Sequence, residues 1–262
     1  MSDEPELTDE MVMAKWAQIA PLIDIVVNRI QDPEDFAVQP GSQLAADDAD
    51  SDPYQVSHCA RSCLNAGVDH LHAARQLILD EPITLHANAD YSLIRGALEN
   101  FGTAFWVLHP PQRKVRIERA LRWMVQNFLD QERAVERLQL PGYVPASVRV
   151  DEIVAMAESA DCNLTRLRGG YASTYVLKYA DEHSTAINPF LMWQLCSAFA
   201  HGRQWASITM NAMEVLSTPE PGLQRVRFTS DHKRLLAAGL PAFHLMTDVI
   251  GFFTDRARAS PT

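Results

Sequence analysis

An apolar rhythm of about 3.6 residues, punctuated mainly by proline, runs through most of this chain and limits what it can fold into. A first helix is expected from Thr8, as N-cap, to about Ile30, with Met11, Trp16, Ile19, Ile23 and Val26 as its apolar stripe and Pro21 as a kink or interruption. Further helices are expected from about Pro53 to Leu79, Leu85 to Leu108 and Pro111 to Leu138. Pro82 and Pro110-Pro111 break the chain between them. A shorter helix is expected over Val148 to Ala160, another over Ala172 to Glu182, and a strong one from Pro189 past His201. The last runs from about Asp231 to Arg258, capped by Ser230 and kinked at Pro241. Residues 31–53 are rich in Asp, Pro, Gly, Ser and Ala and read as an acidic loop. Residues 207–229 hold a Pro-Glu-Pro-Gly turn beside the alternating Arg225-Val226-Arg227-Phe228, the pattern of a hairpin. The fold class expected is all-α: a multi-helix bundle of long antiparallel helices with a small β-hairpin appendage near residues 207–229. Residues 1–55 form its N-terminal helix plus acidic loop and residues 56–262 its bundle, one domain overall.

The net charge of −10 is uneven. Residues 1–55 carry 13 acidic residues against Lys15 and Arg29, while the remainder is close to neutral. A neutral body exerts no general pull on nucleic acid, so nucleic acid is not a favoured partner. Cys59, Cys63, Cys162 and Cys196 form no CxxC pair, which fits a reducing compartment. The acidic start MSDEPELTDE has no signal-peptide character, and no apolar run approaches the roughly 18 residues that span a bilayer. A cytoplasmic protein is expected, with no membrane partner.

Four groups of residues merit attention. Arg95 and Glu99 lie four apart in one helix, on a stripe shared with Gly102 and Trp106. Such a pair either ties helices together or presents a recessed guanidinium to phosphate or carboxylate. Trp193, Ser197, His201 and Trp205 follow at steps of four, placing a histidine beside a serine on an apolar side; it is either a satisfied core residue or a base. His58, Cys59, Cys63, Asp69, His70 and His72 crowd one helix. His70 and His72 point about 200° apart, however, so no metal is expected there. Arg113, Lys114, Arg116, Arg119, Arg122, Arg133 and Arg137 spread over the polar side of one helix. They read as a solvated face, or as a contact surface for RNA or for the acidic 32–52 segment. No GxGxxG, GxxxxGK[ST], GxSxG or HExxH is present, and no cofactor is expected.

The order Arg95-x3-Glu99, a short helix, Tyr171/Tyr175/Tyr179, then Ser197-x3-His201-Gly202 resembles a group of uncharacterised bacterial α-helical proteins related to the HEPN (higher eukaryotes and prokaryotes nucleotide-binding) domains. The resemblance covers about residues 55–205. It implies toxin, phage-defence or nucleotide-binding roles, often in homodimers. HEPN ribonucleases place an Arg shortly before the catalytic His; Gln194 to Cys196 contain none, so Arg95 would supply that charge from another helix. The function expected is therefore a non-catalytic helical binding or interaction protein for a small molecule, nucleotide or protein. The alternative is a HEPN-like ribonuclease using His201 and Arg95, with Glu99 between them. Ser197, Trp193 and Trp106 are the expected ligand-binding side chains.

Overall fold

The computed structural model describes residues 8–32, 34–138 and 141–259. Among them are eleven α-helices and one two-stranded hairpin, so the all-α bundle with a β appendage is the fold. Helix α1 (Asp9–Gln31) starts at Thr8, whose side chain accepts the Met11 N–H. Pro21 sits inside a helix that runs on without a break. Val12, Trp16, Ile19, Ile23 and Val26 are buried; Met11, expected on that stripe, is exposed.

The acidic segment corrects the loop expected there. Gln43–Ser51 is a helix, α2, capped by Ser42, whose hydroxyl accepts the Ala45 N–H. Its charges settle because partners far along the chain receive them. Buried Asp47 accepts from Arg116 Nε at 2.6 Å and Nη2 at 2.8 Å, and Asp50 pairs with Arg113 at 2.8 Å. Arg116 is therefore no part of a solvated face. It is 2% exposed, and its Nη1 also donates to the Pro110 and Pro111 carbonyls. Of the readings open for the arginine run, the contact with the chain's own acidic segment holds at Arg113 and Arg116.

Helix α3 (Val56–Leu79) lies along α4 (Ala89–Leu108) in the most extensive helix–helix contact of the fold. Gly67 allows this approach, since the buried Phe101 ring rests on it; the half-buried His70 ring lies over Gly96. Every residue of α4 from Phe101 to Leu108 is buried, which makes it the central helix. Large apolar side chains so placed each contribute about 1.5–3 kcal/mol. Around it pack α5 (Arg113–Val135, continued by a 3₁₀ turn to Leu138), α8 (Ser173–His183), α9 (Pro189–Ala200) and α11 (His232–Ala257). The short α6 (Ala146–Ser159) and α7 (Leu164–Arg168) cover α5. One buried apolar cluster runs from Val12 to Ala257.

Three boundaries differ from expectation. Helix α9 ends at Ala200, one residue before His201, because Gly202 takes φ +62°. The Gly202 and Arg203 N–H groups then bond the Phe199 and Ala198 carbonyls, a Schellman stop. Residues 204–210 form a separate helix, α10, so the hairpin occupies β1 (Ala212–Glu220) and β2 (Leu223–Thr229), with Val215 opposite Val226 and Met213 opposite Phe228. Asp231, not Ser230, caps α11 through the Arg234 N–H; Ser230 bonds the buried Tyr91 hydroxyl at 2.9 Å instead. Pro241 lies within α11. This helix is long and apolar enough to cross a membrane by length and composition, contrary to the sequence reading. Half of its apolar window is buried inside the bundle, as suits a core helix and is compatible with a soluble protein.

Candidate binding site

The Arg95–Glu99 pair forms as the i,i+4 spacing requires, with Arg95 Nη2 3.1 Å from Glu99 Oε2. Two other elements complete the carboxylate's shell. The Ser173 hydroxyl, at the first residue of α8, donates to Oε1, and the Trp193 indole of α9 donates to Oε2 at 3.3 Å. One turn on, the Thr103 hydroxyl donates to the Glu99 carbonyl at 2.7 Å and meets the Tyr171 hydroxyl at 2.7 Å. Burial pushes the Tyr171 phenol up to about 12, so it stays a neutral donor throughout the physiological range. Arg95 also faces α9: it opposes the burial that pushes the Cys196 thiol up to about 12. Its Nε is buried with no hydrogen-bond partner among the described residues.

The fold thus brings Arg95, Glu99 and Trp193 together. The other expected site residues lie elsewhere. His201 is exposed at the end of α9, and no hydrogen bond or ion pair joins it to Arg95 or Glu99 among the described residues. Since α9 stops at the Schellman turn, His201 and Trp205 do not continue the stripe begun by Trp193 and Ser197. Ser197 is half-buried, and its carbonyl accepts the His201 N–H at 3.1 Å. Trp106, two turns beyond Glu99 in α4, is fully buried under two guanidiniums of α5, with no hydrogen bond or ion pair to Arg95 or Glu99 among the described residues.

Glu99 and Tyr171 line a pocket of about 280 Å³ with Asn100, Thr103, Trp123 and Gln126. Asn127 and Asp130 also line it, so it offers amides, two carboxylates and two aromatic rings to a ligand. A carboxylate with two oxygens has about four acceptor sites, and three donors occupy Glu99, leaving room for one more. Sequence reasoning misses Thr103, Ser173, Asn100 and Gln126. Their one signal is position: Asn100 and Thr103 flank Glu99 in the chain, and Ser173 follows the first tyrosine of the tyrosine segment. Within that segment Tyr171 and Tyr175 both meet Trp106 edge-on, at 6.1 Å.

Among the described residues no group of three or more His, Cys, Asp or Glu is placed to hold a metal ion. Cys59 and Cys63 are buried one turn apart, where their mutual hydrogen bond and burial raise the Cys59 thiol well above its usual range. Comparison with protein-family models, with curated proteins and with solved structures finds no match to this chain.

Proposed function

We propose that this chain is a non-catalytic helical binding protein of the cytoplasm that seats a small polar ligand against Glu99. The observation that carries the reading is the Glu99 carboxylate. Three helices hold it rigid through Arg95, Ser173 and Trp193, yet it still borders an open pocket walled by Asn100, Gln126, Tyr171 and Trp123. A fixed acceptor among amide groups and flat rings suits a planar ligand bearing N–H or O–H donors, the chemistry of a nucleoside. This agrees with what the HEPN-like resemblance implies. Thermal-shift titrations with nucleosides, nucleotides and small organic acids test it, repeated with Gln126→Ala and Arg95→Ala. A ligand-dependent rise in Tm that Gln126→Ala removes is expected. No response to any nucleoside or nucleotide would leave only a structural role for the network.

A second reading, a HEPN-like ribonuclease of a bacterial toxin or defence system, has its own support: α9 sets Trp193 on Glu99 and Cys196 near Arg95, and is followed at once by the exposed His201. In it a homodimer would join the imidazole to a cation that one chain keeps apart. Expression should then slow growth and His201→Ala relieve it. Equal growth with both chains and intact cellular RNA would discard that reading.

A further inference from the structure

A second pocket, of about 380 Å³, opens between α5, α7 and α8. Its wall carries Arg119 and Arg122 from α5, Arg166 from α7, and the ring of Tyr175 from α8. One carboxylate, Glu118, accompanies these three guanidiniums. We infer that this pocket binds the dianionic head of a phosphomonoester, with Tyr175 against the organic part.

Charge provides the first support. Three cations against one carboxylate leave an excess of two, which a phosphomonoester of about −1.5 to −2 neutralises and a single carboxylate does not. The partners of the arginines provide the second. Arg122 is largely covered, with 13% of its side chain exposed, and donates from Nε at 2.9 Å and from Nη2 at 2.6 Å to the Gly170 carbonyl. Its nearest carboxylate oxygen, on Glu118, is 3.7 Å away, beyond hydrogen-bond length. Glu118 offsets only part of the cost of taking this guanidinium from water, since burial still lowers the Arg122 pKa, and an arriving anion would offset more. Arg119 spends one donor on the Trp106 carbonyl at 2.6 Å, and its guanidinium lies 4.2 Å over the Tyr179 ring. Its other N–H groups make no hydrogen bond to a described residue. The Arg166 side chain is exposed and makes no hydrogen bond or ion pair with a described residue. Three guanidiniums from two helices, two of them pre-positioned by carbonyls and aromatic rings, are what a planar-fork site for phosphate oxygens needs.

Tyr175 gives the site its organic side. The ring is 50% exposed, meets Trp106 edge-on at 6.1 Å, and has the Arg122 guanidinium 5.8 Å from its centre. An exposed aromatic ring held beside a cation cluster favours an ester with an apolar or aromatic group over free phosphate. None of this depends on the ligand proposed at Glu99.

Calorimetric titration of the full chain with inorganic phosphate, phenyl phosphate and benzoate decides the matter. Phenyl phosphate is expected to bind saturably and more tightly than phosphate, and both more tightly than benzoate. Arg166→Ala should weaken phenyl phosphate at least tenfold. Arg168→Ala, which removes the same charge from a residue outside the pocket, should leave it within twofold. Neither the Arg166 nor the Arg168 side chain makes a hydrogen bond or ion pair with a described residue, so both variants should fold, with circular dichroism as the check. Phosphate equal to phenyl phosphate would support the anion site with free phosphate as its source. Equal losses from Arg166→Ala and Arg168→Ala, benzoate as the tightest ligand, or no saturable heat up to about 10 mM would overturn the inference. A Gln126→Ala protein that still binds phenyl phosphate would show that this pocket stands apart from the one at Glu99.

Discussion

Replacing Asp47 by asparagine removes one charge from a nearly sealed pair and tests how the acidic segment is held. Asp47 is 0% exposed and Arg116 2%, and their two hydrogen bonds of 2.6 and 2.8 Å are joined by a more distant Arg113 nitrogen at 3.7 Å. In the Asp47→Asn protein the Arg116 guanidinium would keep its bonds to the Pro110 and Pro111 carbonyls but lose its counter-charge inside the fold. Removing one partner of a buried pair costs about 3–5 kcal/mol. Asparagine still accepts one bond, so the low end, about 3 kcal/mol, is expected. At roughly 2–4 °C per kcal/mol for a chain near this size, Tm should fall by about 6–12 °C. Differential scanning calorimetry measures the loss, and urea unfolding checks it at about 25 °C. A double variant, Asp47→Leu with Arg116→Met, should lose less than the two single changes combined, because neither charge is then stranded. A fall of less than about 2 °C for Asp47→Asn would refute the claim that this pair fixes α2. Additive losses in the double variant would show that the side chains do not act as a pair.

Further predictions concern other parts of the fold. Gly67→Ala should destabilise by about 1–3 kcal/mol, since a Cβ there would lie 2.5 Å from the buried Phe101 ring. Gly96→Ala should be near neutral or stabilising, because the half-buried His70 ring in its way can turn aside and alanine gains up to about 1 kcal/mol of helix propensity; chemical denaturation of the two variants separates these outcomes. Asp231→Ala should cost about 1 kcal/mol by removing the α11 cap, whereas Ser230→Ala should leave the helix start intact, as urea unfolding of each would show. Burial, helped by His183, Arg119 and Arg256 and opposed by Asp248, lowers the pKa of His109, whose Nδ1 meets the Tyr179 hydroxyl at 2.7 Å among Phe105 and Phe252. Both folded and unfolded chains are neutral at His109 above its usual value near 6.5. As pH falls below that value the unfolded chain takes a proton that the folded one resists, so stability should drop there. His109→Gln should flatten the drop in Tm between about pH 7 and pH 5.5; an unchanged slope would assign it to other groups.

Most of the bundle can be read from its apolar periodicity because buried stripes and proline breaks are local signals, and α3, α4, α5 and α11 lie within a few residues of their expected places. What local signals miss is equally specific. Helix α2 looks like a polar loop because its stability comes from Arg113 and Arg116, over 60 residues away, and no apolar stripe advertises it. The arginine side of α5 looks solvated for the same reason: α2 hides Arg116, while the Gly170 carbonyl and the Trp106 and Tyr179 rings partly cover Arg119 and Arg122. At the site, Arg95 and Glu99 are visible as an i,i+4 pair within one helix. The bonds that Ser173 and Trp193 bring to Glu99, and Tyr171 to Thr103, depend on tertiary proximity that spacing does not encode. The glycine after His201 is plain in the sequence, but its consequence is larger than a bend: the left-handed backbone ends the helix and leaves the imidazole outside the Glu99 shell.

The far end of α11 is fastened to the segment leading into α2. The Gln39 N–H bonds the Ala257 carbonyl at 2.9 Å, Ala259 donates to the Gln39 side chain at 3.0 Å, Ser42 bridges Ala259, and Arg256 reaches Gln43. During synthesis, therefore, residues near 40 emerge long before the strand of backbone that will clasp them. A nascent chain must carry this early stretch unlatched until translation has delivered the last turn of α11. Ribosome-bound chains cut short before residue 256 should accordingly yield to protease around residues 36–52, where released full-length protein resists.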